Sequence, residues 1–221
     1  MAELGKPRAL LFDLDGTLLD TARDMGTALN QLLADHGRPP KGYQEYRPIA
    51  SHGAMGMLKL GFADIVEAEA YESLRKGFLD LYHLSLCQHT SLFAGIDKLL
   101  EGLADKQLPW GIVTNKPTWL TLPLLEQFPL LQTAGVVVCG DTLARRKPHP
   151  DPLWLAAEKL AVKHQAIWYV GDAERDMQAA RAASMSGVLA EYGYICPTEQ
   201  PQHWQVDLRI DHPEALLPRL A

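Results

Sequence analysis

Two aspartates one residue apart, Asp13 and Asp15, end the apolar run Ala9-Leu10-Leu11-Phe12 and are followed at once by Gly16-Thr17. Short apolar runs closed by turn residues read as buried parallel strands, and ligands collect just beyond the carboxyl ends of such strands. Both carboxylates are therefore expected at the mouth of the first strand. Carboxylates held so close repel each other unless a cation sits between them or one takes a proton. A plain Asp-Gly turn, with Asp20-Thr21 capping the next helix, accounts for the same residues without any chemistry. The remainder of the chain decides between these readings.

After Thr17 the pattern changes from strand to helix. Ala22, Met25, Leu29, Leu32 and Leu33 recur at helical spacing, and Gly37 with Pro39-Pro40 stops the run. Residues 43–52, with Pro48 inside, read as irregular or as a short helix, and 53–60 as a small helix. A longer helix is expected from about Asp64 to Gln88, burying Tyr71, Leu74, Phe78, Leu81 and Tyr82. No strand periodicity occurs between Asp20 and Ser91, so residues 20–91 are expected to form an all-helical insert. From Leu92 onward helices (96–106, 118–127, 152–161, 174–184) alternate with strands (110–113, 136–139, 167–170, 188–190, 207–210), and a terminal helix follows. Such alternation predicts an α/β fold with a doubly wound, mostly parallel sheet, built from residues 1–19 and 92–221.

Composition narrows the function. At 47% hydrophobic and 22% charged residues, a chain of 221 residues can bury a proper core and is not disordered. A net charge of −6 argues against nonspecific nucleic acid or anionic membrane binding, both of which need a basic surface. No apolar run reaches transmembrane length, and the first residues lack the apolar core of a signal peptide. The three cysteines, Cys87, Cys139 and Cys196, are far apart and odd in number, as reduced thiols of a cytoplasmic protein would be. Cys87 with His83 and His89 has no second ligand pair to make a zinc site.

Three later strands also end in polar signals. One runs into Thr114-Asn115-Lys116-Pro117, another leads through Gly140-Asp141-Thr142 to Arg145-Arg146-Lys147-Pro148, and a third runs into Gly171-Asp172-Ala173-Glu174-Arg175-Asp176. Parallel strands point one way, so these segments share an edge with Asp13 and Asp15. Each has an ordinary explanation: a helix cap at Thr114, a solvated basic run at Lys147, a helix-dipole complement at Asp172 and Asp176. Gathered together, they are carboxylates, a hydroxyl and an ammonium. Hard oxygen ligands suit Mg²⁺, and a hydroxyl and ammonium beside it suit a phosphoryl group.

The set FDLDGT (Phe12 to Thr17), Thr114, Lys147 and GDxxxD (Gly171 to Asp176), in this order, resembles the haloacid dehalogenase superfamily of phosphohydrolases. The resemblance implies a Rossmann-like core, with the insert as a helical cap of the C1 type. It also implies Asp13 as the nucleophile that becomes an aspartyl phosphate and Asp15 as the general acid and then base. Mg²⁺ would be held by Asp13, the Asp15 carbonyl, Asp172 and Asp176, with Thr114 and Lys147 on the phosphoryl oxygens. Asp15 is absent from most halide-removing members, so its presence favours phosphate chemistry.

Within the superfamily the FDLDGTLLDTA opening, TNKP and KPHPDPL resemble phosphoglycolate phosphatases and N-acetylmuramic acid 6-phosphate phosphatases. The tail from Tyr192 to Pro213 resembles the latter more, while Arg23 departs from the proline these relatives often carry. The expected partner is a small anionic phosphate ester, and the expected assembly is a monomer or weak homodimer. Thr17, Asn115 and the insert residues Arg47, Ser51, His52 and Gly53 are the expected substrate contacts, with Arg47 as a candidate for a substrate carboxylate. A sugar-phosphate mutase with the same core, or a non-catalytic Mg²⁺-binding interaction protein, is the alternative.

Overall fold

A computed structural model describes residues 4–63 and 70–220. Strand β1 (Ala9–Phe12) is followed by β2 (Leu19–Asp20) and four helices, α1 (Ala22–Asp35), α2 (Tyr43–Tyr46), α3 (Gly53–Gly61) and α4 (Tyr71–Leu84), with the 3-10 segment Arg47–His52 between α2 and α3. The chain then runs β3 (Ser91–Leu92), α5 (Ile96–Asp105), β4 (Trp110–Val113), α6 (Thr118–Glu126), β5 (Val136–Val138) and α7 (Asp151–Leu160). It closes with β6 (Ile167–Gly171), α8 (Glu174–Ala182), β7 (Ser186–Ala190), β8 (Leu208–Ile210) and the 3-10 segment Pro213–Arg219.

Six parallel strands form one sheet in the order β5-β4-β1-β6-β7-β8. All four residues of β1 are buried, and their alternation serves both faces. Leu10 and Phe12 join Ile112, Trp168 and Val170 under α5, while Ala9 and Leu11 join Val113 and Tyr169 under α7 and α8. The order reverses at β1, which pairs with β4 on one side and β6 on the other. That is the switch point where open α/β sheets bind ligands. Phe12 stands opposite both Ile112 and Val170, so Asp13 leaves the sheet level with Val113 and Gly171, and Thr114 and Asp172 leave it one residue further on.

Helices α1, α3 and α4 pack on one another around Met25, Leu29, Leu32, Met57, Leu58, Leu74 and Phe78, with Leu120 and Tyr194 reaching in from the sheet portion. The two crossings between these portions pair as an antiparallel ribbon, Leu19 opposite Leu92 and Asp20 opposite Ser91. Buried Asp24 fastens the ribbon from α1, accepting from the backbone N–H of His89 (2.8 Å) and Thr90 (3.1 Å) and from the Thr90 hydroxyl (2.6 Å).

Several expectations needed revision. The ribbon strands are two residues each, too short to show a period. The long helix stops at Leu84, where the Ser85 hydroxyl turns back to the carbonyls of Leu81 and Tyr82 and Cys87 takes a left-handed conformation. Residues 64–69 of that expected helix lie outside the described ones. Thr21 does not cap α1, because its hydroxyl faces the Met25 sulfur. The Ala22 N–H instead donates to the Tyr194 hydroxyl at 3.0 Å and, at 3.4 Å, to Asp20. The terminal helix is 3-10, with Pro213 opening it and Pro218 inside. No helix among the described residues is long and apolar enough to cross a membrane.

Candidate active site

The strand tips and the helical portion enclose a cavity of about 420 Å³. Its floor is Asp13, Asp15, Thr114 and Lys147, and its roof includes Ser51 and Tyr82. Turn chemistry builds the floor. Asp13 continues the β1 ladder through its N–H to the Val170 carbonyl (2.9 Å), and its Oδ1 accepts from the Leu14 N–H (2.8 Å). Gly16 then takes φ +85°, and a Cβ there would lie 2.1 Å from Asp172 Oδ2, so only glycine fits beneath that carboxylate.

Lys147 is enclosed completely, with its Nζ 2.9 Å from Asp13 Oδ1 and 2.8 Å from Asp176 Oδ1. It also donates to the Val113 carbonyl (2.9 Å) and the Tyr169 hydroxyl (2.7 Å). The basic run around it is thus not a solvated face at this position. Asp176 sits in the first turn of α8, where its Oδ2 accepts from the Ala173 N–H at 3.0 Å. Asp172 accepts from the Tyr194 N–H (2.8 Å) and the Ser51 hydroxyl (2.5 Å) on Oδ2, and from Thr17 (3.4 Å) on Oδ1.

Asp13, Asp172 and Asp176 each offer an oxygen within 4.8 Å of the others. Burial and mutual repulsion set their protonation. Burial, then Asp176 and Asp13, push Asp172 up to about 7. Burial raises Asp13 despite Lys147 beside it. Burial also works against ionised Asp176, but Lys147 and then Arg175 outweigh it and hold that carboxyl below the usual range. Three buried, hard oxygen donors with unbalanced charge are a donor set that fits a divalent cation such as Mg²⁺.

The expected site residues divide into those at the cavity and those behind it. Asn115, Ser51, His52 and Gly53 line it. Asn115 is tied by its side-chain amide to the Lys147 carbonyl (2.9 Å), and His52 faces Glu199 at 3.4 Å. Thr17 is fully buried, lies off the cavity wall, and donates its hydroxyl to Asp172 Oδ1. Arg47 does not line the cavity. Its guanidinium donates to the carbonyls of Gly193 and Tyr192 (both 3.3 Å) and lies over the Tyr194 ring, because the 3-10 segment turns it toward the loop after β7. Of the insert residues expected at the substrate, Arg47 is the one the structure does not bring to the cavity.

Three residues escaped the sequence reading. Lys116 pairs with Asp15 at 3.0 Å, Tyr82 holds Lys116, and Arg175 lies 3.7 Å from Asp13 Oδ2. The Lys in Thr-Asn-Lys-Pro and the Arg inside GDxxxD were visible as charges beside motif residues. Tyr82 had only the signature of a core residue.

The model of the haloacid dehalogenase-like hydrolase family matches residues 10–190, and the chain belongs to that family. Its relatives make it a phosphatase within it. It is 44% identical over 210 residues to a phosphoglycolate phosphatase of Xanthomonas campestris pv. campestris, covering 95% of both chains. It is 38% identical to an N-acetylmuramic acid 6-phosphate phosphatase of Pseudomonas putida, covering 93% of this chain and 92% of that one. A predicted phosphoglycolate phosphatase from Haemophilus somnus 129pt superposes with a TM-score of 0.84 at 25% identity, covering 98% of this chain and 99% of the other.

Proposed function

We propose that this phosphatase hydrolyses a small anionic phosphomonoester, with Mg²⁺ as cofactor and a phosphoryl group carried transiently on Asp13. The observation that carries the reading is the meeting of Asp13, Lys147, Asp172 and Asp176 beneath one cavity at the sheet's switch point.

Asp13 Oδ1 is engaged by Lys147 and the Leu14 N–H, which leaves Oδ2 to attack phosphorus. As that bond forms, the ester P–O bond breaks and Asp15 gives its proton to the leaving oxygen. Asp15, now a carboxylate, takes a proton from water, and the water oxygen attacks phosphorus to release phosphate and restore Asp13. Asp13, Asp172, Asp176 and the Asp15 carbonyl would hold the divalent ion. When bound, it supplies positive charge for the phosphoryl oxygens. Thr114 and Lys147 bind those oxygens from the chain's side, and Arg175 adds a second fixed cation near Asp13.

For the substrate, the two named kinds of relative suggest phosphoglycolate and N-acetylmuramic acid 6-phosphate. The cavity is far roomier than a two-carbon ester requires, and Met25, Met55, Phe78, Leu79 and Leu120 give it an apolar wall. Both features favour the larger muramic acid ester. Arg75 and Arg146, also on the wall, suit its carboxylate.

The deciding assay is phosphate release from p-nitrophenyl phosphate with and without Mg²⁺, followed by a panel of phosphoglycolate, N-acetylmuramic acid 6-phosphate and hexose phosphates. The reading expects Mg²⁺ dependence and loss of turnover in Asp13→Asn. Turnover surviving in Asp13→Asn would overturn it.

A further inference from the structure

Lys116 lies at the reacting end of the cavity, yet none of the steps above uses it. Its backbone is pinned. The N–H donates to the Thr114 hydroxyl at 3.1 Å, and the carbonyl accepts from the Gly140 N–H at 2.9 Å. From that fixed base the side chain runs under the roof, 5% exposed, and ends between two groups. Its Nζ is 3.0 Å from Asp15 Oδ1 and 2.7 Å from the Tyr82 hydroxyl, and stands 4.3 Å from the Tyr82 ring centre. Tyr82 is a buried residue of α4, in the helical portion. Among the described residues, Lys116 is the one hydrogen-bond or ion-pair partner of the Asp15 carboxylate.

A carboxyl that must meet a leaving oxygen and later a water needs a fixed orientation, and a loose aspartate has none. Anchoring Oδ1 alone leaves Oδ2 without a protein partner among the described residues, on a side chain that lines the cavity. A lysine has a long flexible stem, so it can serve as an anchor only if its own head is held. Tyr82 supplies that hold by a hydrogen bond and by its ring face.

We infer that Lys116 is a positioning residue for Asp15, and that Tyr82, reaching from the helical portion, keeps Lys116 in place for this task. Alignment of the proton-transfer group then depends on contact between the two portions of the molecule. The inference rests on the reading of Asp15 as the general acid.

The test uses leaving groups. Breaking the P–O bond of an alkyl phosphate requires a proton on the departing oxygen. 2,4-Dinitrophenolate leaves as a stable anion and scarcely needs one. The ratio kcat/KM reports the first chemical step, before Asp15 acts as base. For Lys116→Met we expect kcat/KM on an alkyl phosphate to fall ~100-fold, while that on 2,4-dinitrophenyl phosphate changes less than about threefold. Tyr82→Phe keeps the packing and is expected to show the same selectivity at roughly tenfold. It carries the test if Lys116→Met does not fold. Asp15→Asn is the control. If Asp15→Asn discriminates between the leaving groups but Lys116→Met and Tyr82→Phe lower both substrates equally, Lys116 does not position the acid. If Asp15→Asn itself fails to discriminate, the acid reading is wrong and this inference falls with it.

Discussion

Replacing Lys147 by methionine removes a charge but little volume, and the structure sets the size of the effect. The ammonium faces Asp13 at 2.9 Å and Asp176 at 2.8 Å, with no exposed side-chain surface. Removing one partner of a buried ion pair costs ~3–5 kcal/mol because the other charge is stranded. An independent ceiling comes from protonation, since a stranded carboxylate can escape by taking a proton. At pH 7.5 that costs about 5 kcal/mol relative to an ordinary aspartate, and at pH 5.0 only about 1.5 kcal/mol. The expected penalty in Lys147→Met is therefore ~4 kcal/mol at pH 7.5, a drop of roughly 8–16 °C in Tm.

The sign of the pH dependence also follows. Asp176 lies below its usual range in the native chain, so it contributes stability above its unfolded pKa, and this is lost as pH falls through the lower folded value. In the variant its pKa rises above the unfolded value, so stability falls as pH climbs past ~4. The gap between the two proteins should close toward acid. Urea unfolding of the full chain in EDTA, at pH 7.5 and pH 5.0, measures it. A gap equal at the two pH values, or below about 1 kcal/mol at pH 7.5, would refute the reasoning.

Four other outcomes can be checked. In Gly193→Ala the new Cβ would lie 2.3 Å from Asp172 Cβ and 2.4 Å from the Gly16 carbonyl oxygen. Asp172 must therefore shift, and calorimetry should find Mg²⁺ binding weakened about tenfold or more; unchanged affinity would contradict this. Because Asp172 is pushed up to about 7, a proton competes with the cation below that pH. Mg²⁺ affinity should fall about tenfold per pH unit there and level off above it, so a flat profile from pH 5.5 to 8 would count against it. Asp24→Ala strands the donors of His89 and Thr90 and should cost about 3 kcal/mol in urea unfolding; a loss under 1 kcal/mol, on the order of one ordinary hydrogen bond, would show the clamp to be slack. Arg75→Ala should raise KM for a carboxylate-bearing phosphate ester about tenfold and leave p-nitrophenyl phosphate unchanged, whereas equal effects on both substrates would exclude a recognition role.

The middle of the sheet was legible because β1, β4 and β6 are short, apolar and run straight into Asp13, Thr114 and Asp172. Each of the strands expected at 110–113 and 167–170 falls within a residue of its observed bounds. Much of the cavity floor was legible for the same reason, since parallel strand ends share an edge and Asp13 and Thr114 sit immediately after theirs, whereas Lys147 comes nine residues past the end of β5. What sequence could not supply was direction. Arg47 has the chemistry to bind a carboxylate, but the loop after β7 offers it two carbonyls and an aromatic face. Lys116 reads as one more charge until Tyr82 and Asp15, 34 and 101 positions away, close around it. Thr17 and Ser51 carry hydroxyls suited to a ligand, yet both spend them on Asp172. Contacts between distant segments decide such cases, and no local period encodes them.

The ribbon of β2 and β3, with Asp24 across it, has a mechanical consequence. The helical portion is a slab joined covalently to its base along that one seam, and its other ties, among them those from Arg47, Ser51 and Tyr82, are noncovalent. Tyr82 and Ser51 ride on the same slab, so one tilt would carry both toward Lys116 and Asp172 or away from them. Admitting a substrate and completing the machinery that cuts it would then be two ends of a single stroke.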